Sequence, residues 1–262
     1  MNGSGCTGTD SMRRTTYKAE KRPLLTYILI GVILLAFGWE MWGFYNQQEG
    51  WLDEQLSTYG FSMQAIQEGK WWTPFTSVFL HASLSHLMLN TLALFFFGRA
   101  VELELGWKKS LVIFWAGALV GDIAIVLVSM LGIMPAGVPT IGASAAIFGL
   151  MGGAVLAEPL ELVFYPYVVP VPMLFVAALY VLYNVASFVT VVATGAQTDI
   201  AYAAHLGGLA AGIYLAFRWV GMKKGIPALL GLFLLLIAIP LLWSALQQLQ
   251  LFNYVSAISG IK

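Results

Sequence analysis

The sequence predicts an all-α polytopic membrane protein, and two observations carry this prediction. Hydrophobic residues make up 59% of the 262 residues and charged residues only 10%, whereas a soluble domain carries roughly 25% charged residues. The apolar stretches are long and unbroken, which favours membrane-spanning helices over the short alternating strands of a β-barrel. The 13 basic and 13 acidic residues cancel. A nucleic-acid-binding protein, a disordered polyampholyte and a soluble enzyme are therefore disfavoured.

Seven helices are predicted to cross the bilayer, because a helix needs about 20 apolar residues to span a hydrocarbon core of about 30 Å. A polar and then basic tail precedes the first of them. No signal-peptide cleavage site follows that first apolar segment, so a cleaved signal peptide is not expected. The single cysteine of the chain, Cys6, excludes a disulfide within the chain and is expected to be inert rather than lipidated. An aromatic-rich connection, residues 46–73, suits a segment at the level of the lipid headgroups. The predicted spans are 24–45, 75–98, 109–131, 142–157, 166–190, 200–219 and 226–246.

The fourth predicted span is unusually short. At 1.5 Å per residue, its roughly 15 residues cover only about 22 Å. The glycine- and proline-containing stretch before it, 131–141, predicts irregular backbone. Such backbone is tolerated at depth only where it lines protein or a polar cavity.

Basic residues are distributed unevenly between the two sides of the predicted bundle. With the N-terminus inside, only Lys70 and Lys262 fall on the outer side. Because Lys and Arg concentrate on the cytoplasmic side of membrane proteins, this asymmetry predicts an N-in, C-out topology. The remaining 11 of the 13 lie inside: Arg13, Arg14, Lys18, Lys21, Arg22, Arg99, Lys108, Lys109, Arg218, Lys223 and Lys224.

Polar side chains within the predicted spans are candidates for function, because they are costly to bury in lipid. They are His81, His86 and Asn90 in the second span, Asp122 in the third, Ser144 in the fourth and His205 in the sixth.

Depth estimates bring two of these candidates together. Ser144 lies fourteen residues above Glu158, about 21 Å from the inner face, and His205 lies thirteen above Arg218, about 20 Å from it. A serine and a histidine at one depth can act as nucleophile and general base. Ser144 also falls in the first turn of its helix, where unpaired backbone N–H groups favour an oxyanion.

Two further features support a site at this depth. His86 and Asn90 are four residues apart, so they share a helix face and can donate hydrogen bonds to an oxyanion. Gly208 and Gly212 on the histidine helix, like Gly149 and Gly153 on the serine helix, allow close backbone approach. His81 is five residues from His86, so it is expected to point elsewhere and to make an ordering hydrogen bond.

Other interpretations of these polar residues remain open. Asp122 could orient His205 as the third member of a triad, although a hydrogen-bonded structural acid is favoured. A metal site is disfavoured because no histidine pair has the spacing of a helical ligand set. A transporter would favour internal repeats, and the spans show none.

Three motifs in order resemble those of the rhomboid intramembrane serine proteases. The run from His81 to Asn90, continued by Gly98 to Glu102, resembles their second helix. Gly142-Ala143-Ser144-Ala145, with Phe148 and Gly149, resembles their nucleophile motif. Ala204 to Gly208, with Gly212, resembles their histidine helix. The resemblance covers residues 24–220 and implies a six-helix core.

This resemblance implies a role for each matching residue. Ser144 and His205 would form a catalytic dyad, and His86, Asn90 and the Ser144 backbone N–H an oxyanion hole. Phe148 would pack against the imidazole, and Glu102 would be a structural acid. The connection 46–73 would correspond to a half-submerged first loop, and the fifth helix with residues 190–200 to a lateral gate and cap.

The chain departs from the family pattern at two positions. Thr73 follows Trp72 where many members have arginine, which affects the anchoring of the first loop. Ala145 follows the nucleophile where many members have glycine, and a methyl group is compatible with a helical backbone.

The sequence therefore predicts an intramembrane serine endopeptidase that cleaves transmembrane-protein substrates near the outer membrane face. It would need no metal and no organic cofactor, and it would contact the lipid bilayer but no nucleic acid. A prokaryotic cell membrane is the expected location. An inactive rhomboid-like protein that binds membrane clients and a small transporter are the alternatives. The expected domains are a cytoplasmic tail, a six-helix catalytic core and a seventh transmembrane helix with a short tail (6+1), at 1–23, 24–220 and 221–262.

Overall fold

A computed structural model of the chain describes residues 22–46, 50–163, 171–195 and 201–248. The predictions for the tail with Cys6, for Lys262 and for the stretch 196–200 lie outside the described residues. Eleven α-helices are described there: α1 (Leu24–Asn46), α2 (Trp51–Tyr59), α3 (Met63–Gln67), α4 (Thr73–Thr76), α5 (Leu84–Ala93), α6 (Arg99–Leu105), α7 (Trp107–Met130), α8 (Ser144–Ala157), α9 (Met173–Thr194), α10 (Tyr202–Val220) and α11 (Met222–Gln248).

The all-helical membrane architecture is confirmed. Within the described ranges, five helical stretches are long and apolar enough to cross a membrane: α1, Leu84–Leu105, α7, α9 and α11. The short span is α8, whose 14 residues extend about 21 Å. α10 has 19 residues and packs against α7 and α8. The division into six helices plus one and the N-in, C-out topology remain predictions.

The second span begins later than predicted, at Leu84 rather than at residue 75, and it ends at Leu105 rather than at residue 98. The apolar stretch before it forms only α4 and a 3₁₀ turn, Ser77–Phe79. Ser83 starts the helix by accepting a hydrogen bond from the His86 backbone N–H at 3.1 Å, which is the geometry of a serine N-cap. A π-helical turn at Leu94–Gly98 joins α5 to α6. Apolar composition alone does not separate a buried loop from a spanning helix, which explains the shift.

Two other helices, α9 and α11, also begin at residues different from those predicted. α9 begins at Met173 rather than at residue 166, after a two-stranded antiparallel ladder of β1 (Leu162–Val163) and β2 (Val171–Pro172). α11 begins at Met222, directly after Gly221, whose φ of 81° ends α10. Glycine is favoured at this positive φ because it has no side chain to clash with the backbone there.

The core of the molecule surrounds α8. Every residue of α8 from Ala146 to Ala157 is buried, as expected of a helix that is apolar on all sides. α7 and α10 pack along two sides of it. The residue that opens α8, Ser144, is only half-buried. The helix therefore presents its first residue at the edge of a tightly packed core.

Two buried carboxylates fasten α1 to the rest of the fold. Glu102 on α6 accepts hydrogen bonds from the backbone N–H groups of Leu25 at 2.9 Å and Thr26 at 2.8 Å, and from the Thr26 hydroxyl at 2.8 Å. It thus satisfies donors that the first turn of a helix leaves unpaired. Glu40, near the other end of α1, accepts from the His81 backbone N–H at 3.2 Å. The structural role that the resemblance implied for Glu102 matches this contact.

The connection between the first two spans is held by side-chain hydrogen bonds to backbone. The Trp72 indole donates to the Thr58 carbonyl at 2.9 Å, and the Thr76 hydroxyl donates to the Tyr59 carbonyl at 2.7 Å. Thr73, at the position where the family often has arginine, is fully buried and donates to the Lys70 carbonyl at 2.8 Å. These bonds anchor the loop without an arginine.

Replacing Glu102 by alanine is expected to lower the free energy of unfolding by roughly 2–4 kcal/mol, because three donors, two of them buried, lose a charged acceptor. Thermal unfolding in detergent, followed by circular dichroism, measures the loss. Glu104→Ala is the matched control, since Glu104 lies on the same helix and its ion pair with Lys224 is exposed. Equal melting temperatures for the two variants would contradict the anchoring role of Glu102.

Candidate active site

Ser144 and His205 meet where α8 and α10 begin. The His205 Nε2 atom lies 2.7 Å from the Ser144 Oγ atom. Ser144 is the first residue of α8, and His205 lies in the first turn of α10. Both side chains are half-buried. The depth estimate from the sequence therefore placed the two residues correctly relative to each other.

The imidazole of His205 is held flat against an aromatic ring. Phe148 lies one helical turn after Ser144, and its ring stacks on the imidazole with 4.5 Å between centroids and 5° between planes. Tyr202 meets the same imidazole edge-on at 6.5 Å. Stacking keeps the imidazole from tilting out of its plane, so the ring edge that carries Nε2 stays directed at Ser144.

The second ring nitrogen of His205 has a partner that the sequence analysis missed. The Asn184 Oδ1 atom, on α9, lies 2.7 Å from His205 Nδ1. Asn184 is a polar residue within a predicted span, which is the signal that singled out the other candidates. Its contact with His205 depends on how α9 packs beside α10, which the pattern of spans does not predict.

Glycines on α10 let its backbone touch that of α8. A Cβ atom on Gly212 would collide with the Gly149 carbonyl oxygen, and one on Gly208 with the Ala145 carbonyl oxygen. The prediction for Gly208 and Gly212 is thus confirmed as close packing. Gly153 is different: it faces Ile113 on α7, and Gly152 faces α10 instead. Of the predicted α8 pair, Gly149 therefore lies against α10 as expected, whereas Gly153 does not. The four-residue spacing does not show which neighbour each glycine faces, because α8 is buried on all sides.

Gly142 places His86 and Asn90 beside the start of α8. Its φ of 105° favours glycine, and its backbone N–H donates to the Ser77 carbonyl at 2.8 Å. A Cβ atom there would lie 2.7 Å from His86 Cε1 and 3.6 Å from Asn90 Nδ2. Both side chains therefore reach the segment that leads into Ser144. Asn90 also donates to the His86 carbonyl at 3.0 Å, which fixes its amide on their common helix face.

His81 lies in a different place from the one predicted. It precedes the N-cap of α5 and is not part of the helix. Its five-residue spacing from His86 therefore does not determine the direction of its side chain. Its Nδ1 atom lies 3.2 Å from the Phe79 carbonyl oxygen, and its ring lies 5.0 Å from that of His86. The expected ordering hydrogen bond is present. Glu40, which binds its backbone, is a buried polar residue that the sequence analysis did not single out.

Asp122 is not the partner of His205. Both imidazole nitrogens lie in hydrogen-bond contact with other side chains, those of Ser144 and Asn184. Among the described groups, the Asp122 Oδ2 atom is buried without a hydrogen-bond partner. The triad alternative for Asp122 is therefore wrong.

Ala145 fits the position where the family often has glycine. Its methyl group points toward Gly121 on α7, where an added Cβ atom would lie only 2.7 Å from it. The missing side chain at position 121 thus makes room for the methyl group that follows Ser144.

The arrangement combines a hydroxyl, a hydrogen-bonded imidazole and nearby donors. This is the set of groups that nucleophilic acyl transfer requires. Within the described ranges, no three His, Cys, Asp or Glu residues cluster closely enough to suggest a metal site.

Comparison with known families gives a direct match. The sequence model of the rhomboid domain matches residues 68–223, a range that contains Ser144, His205 and Asn184. The apolar helices and this match together make the chain an integral membrane protein.

Individual relatives carry rhomboid names. RHOMBOID-like protein 12, mitochondrial, from Arabidopsis thaliana is 25% identical over 76% of this chain and 59% of its own length. Rhomboid protease GluP from Bacillus subtilis is 35% identical over 50% of this chain and 24% of its own length. Inactive RHOMBOID-like protein 8 from Arabidopsis thaliana is 32% identical over 37% of this chain and 26% of its own length.

The chain thus spans less than two thirds of the length of each of these relatives. Because one of these relatives is named mitochondrial and another comes from Bacillus subtilis, the prokaryotic membrane stays a prediction.

Substituting alanine for Gly212 is expected to separate α8 from α10 and to destabilise the fold by about 1–3 kcal/mol or more, because the methyl group would meet backbone rather than a movable side chain. The melting temperature in detergent measures the effect. Gly38→Ala on α1 is the control, since a Cβ atom there meets nothing within 4 Å. A Gly212→Ala variant as stable as Gly38→Ala would contradict the close backbone contact between α8 and α10 at position 212.

Proposed function

Since this chain belongs to the rhomboid family, we propose that it is an intramembrane serine endopeptidase. Its substrates would be transmembrane proteins, cleaved near the outer membrane face. The observation that carries the proposal is the 2.7 Å contact between Ser144 Oγ and His205 Nε2 at the start of a short helix. A relative named as a protease adds support.

The first half of the reaction forms an acyl-enzyme. His205 Nε2 accepts the Ser144 proton while Oγ attacks the scissile carbonyl carbon, and the carbonyl oxygen becomes an oxyanion. Collapse of the tetrahedral intermediate breaks the peptide C–N bond. The imidazolium returns the proton to the leaving amine, and the acyl group stays on Ser144.

Water completes the reaction in the second half. His205 accepts a proton from a water molecule, whose oxygen attacks the ester carbon. The ester bond breaks, Ser144 recovers the proton and the new carboxylic acid leaves. Each step uses the same two side chains, so neither can be replaced without loss of turnover.

The oxyanion of both intermediates would be bound by three donors. The first turn of α8 offers backbone N–H groups without helical partners, including that of Ser144, and the helix dipole favours negative charge there. His86 and Asn90 would donate from the side of Gly142, which both approach closely. Fixed donors of this kind stabilise the transition state more than the ground state.

Depth in the membrane suits a transmembrane substrate. In the predicted N-in topology, Ser144 would lie about 20 Å above the inner end of α8, where the stretch 131–141 leads into the helix. Such backbone is compatible with a water-accessible site below the membrane surface. An extended or unwound substrate segment could then reach the serine from the outer side.

Cleavage of a single-pass substrate in liposomes tests the dyad. Ser144→Ala and His205→Ala are each expected to lower kcat by at least about 1,000-fold, because the nucleophile or its base is lost. Ser129→Ala on α7 is the matched control and should keep normal activity. Full activity in either dyad variant would refute the assignment, whereas a wild-type chain without activity would favour an inactive client-binding protein.

Asn90→Ala is expected to lower kcat by about 10-fold to 1,000-fold, as the loss of one oxyanion donor does. KM should change little, because the missing bond forms mainly in the transition state. Asp122→Asn serves as a comparison, since Asp122 lies outside the constellation and its change should leave the rate largely intact. An unchanged rate in Asn90→Ala would remove Asn90 from the oxyanion hole.

A further inference from the structure

Asn184 makes two hydrogen bonds with its side-chain amide. It is 2% exposed and lies on α9, eleven residues after the first residue of that helix. Its Nδ2 atom donates to the Tyr180 carbonyl at 2.8 Å. Its Oδ1 atom lies 2.7 Å from His205 Nδ1. The amide therefore joins the backbone of α9 to the imidazole on α10.

The first of these bonds fixes the orientation of the amide. A backbone carbonyl oxygen only accepts hydrogen bonds, so the atom that faces Tyr180 must be the amide nitrogen. The atom that faces His205 is then the amide oxygen, which also only accepts. A flipped amide would place two oxygens against each other at Tyr180 and an NH₂ group against the imidazole.

The orientation of the amide in turn determines the tautomer of His205. Because Asn184 Oδ1 accepts, His205 Nδ1 must carry the proton. In a neutral imidazole the other nitrogen, Nε2, then has a free lone pair. That lone pair is directed at the Ser144 hydroxyl, 2.7 Å away. A neutral imidazole protonated at Nε2 instead could not accept the serine proton.

We infer that Asn184 is a positioning residue that holds His205 in the tautomer competent as a base. This inference rests on the proposed function, in which His205 is that base. Asn184 does not touch the reacting atoms, and it acts only through the imidazole. Its bond persists when Nε2 gains a proton, so it also orients the imidazolium. It takes the place that Asp122 was considered for, with an uncharged acceptor.

The inference also links the base to the position of α9. The inner end of α9 is fastened by backbone bonds, from Met173 to the Glu161 carbonyl at 2.8 Å and from Leu174 to the Pro159 carbonyl at 2.9 Å. Farther along, Val189 and Val192 are exposed on the outside of the bundle. An outward tilt of that part of α9 would withdraw Asn184 Oδ1 from Nδ1. The imidazole would then be free to adopt the unproductive tautomer.

Two variants of Asn184 show whether the hydrogen-bond acceptor or the volume of the side chain is responsible for the effect on kcat. Asn184→Leu keeps a similar volume without an acceptor, and it should lower kcat about tenfold or more with KM nearly unchanged. Asn184→Asp restores an acceptor toward Nδ1 and should recover most of kcat. Thr190→Val is the matched control, because Thr190 lies on the same helix, is exposed and bonds the Ala186 carbonyl. Its activity should equal that of the wild type.

Nitrogen NMR reads the tautomer without any assay of cleavage. The chain has only three histidines, so ¹⁵N-histidine labelling gives signals from three imidazoles. The signals that disappear in a His205→Gln variant are assigned to His205. At neutral pH the wild type should show a protonated Nδ1 and an unprotonated Nε2. Asn184→Leu should lose this preference, whereas Asn184→Asp and Thr190→Val should keep it.

The outcomes separate this inference from the proposed function. An Nε2-protonated His205 in the wild type would overturn the role of Asn184, and so would an unchanged tautomer and kcat in a folded Asn184→Leu variant. If the leucine variant does not fold, the wild-type and Asn184→Asp spectra still show whether Nδ1 of His205 carries the proton, as the inference requires. If the wild type cleaves nothing, the proposed function fails, while the nitrogen signals still show whether Asn184 sets the tautomer.

Discussion

The backbones of α8 and α10 touch at Gly149 and Gly212, and this contact sets the distance between the residues at the heads of the two helices. In lipid there is no hydrophobic force to press helices together, so close van der Waals packing must hold them. Any side chain at position 212 would separate the two axes. The hydrogen bond between Ser144 and His205 needs the closer spacing, and both residues lie only one or two turns beyond it.

Around this contact, each neighbouring element contributes one constraint on the site. α7 accommodates Ala145 through Gly121, and α5 brings His86 and Asn90 against Gly142. α8 supplies the flat surface of Phe148 behind the imidazole, and α9 supplies the acceptor of Asn184. The imidazole is thus restrained at its face and at both nitrogens. In the proposed reaction, such preorganisation would lower the reorganisation needed when charge develops in the transition state.

Much of this arrangement could be predicted from the sequence, because a helix has a fixed rise per residue. Counting from the charged ends that the predicted topology places inside put Ser144 and His205 at one level. Glycines at positions 208 and 212 indicated the side of α10 that packs closely. Other features depend on tertiary structure. The start of α5 was predicted too early because buried loop residues are as apolar as a span, and Gly153 was paired with the wrong helix because α8 is buried all round. Asn184 lies within a predicted span, but its contact with His205 depends on the fold, which brings α9 beside α10.

Labelling with a fluorophosphonate tests the central claim most directly, because the reagent modifies a serine hydroxyl that a neighbouring base has activated. Peptide mass spectrometry of the labelled 262-residue chain in detergent identifies the modified residue. We expect modification at Ser144 and at no other serine, with the label lost in a folded His205→Ala variant. A label on a different serine, or equal labelling of Ser144 without His205, would contradict the account.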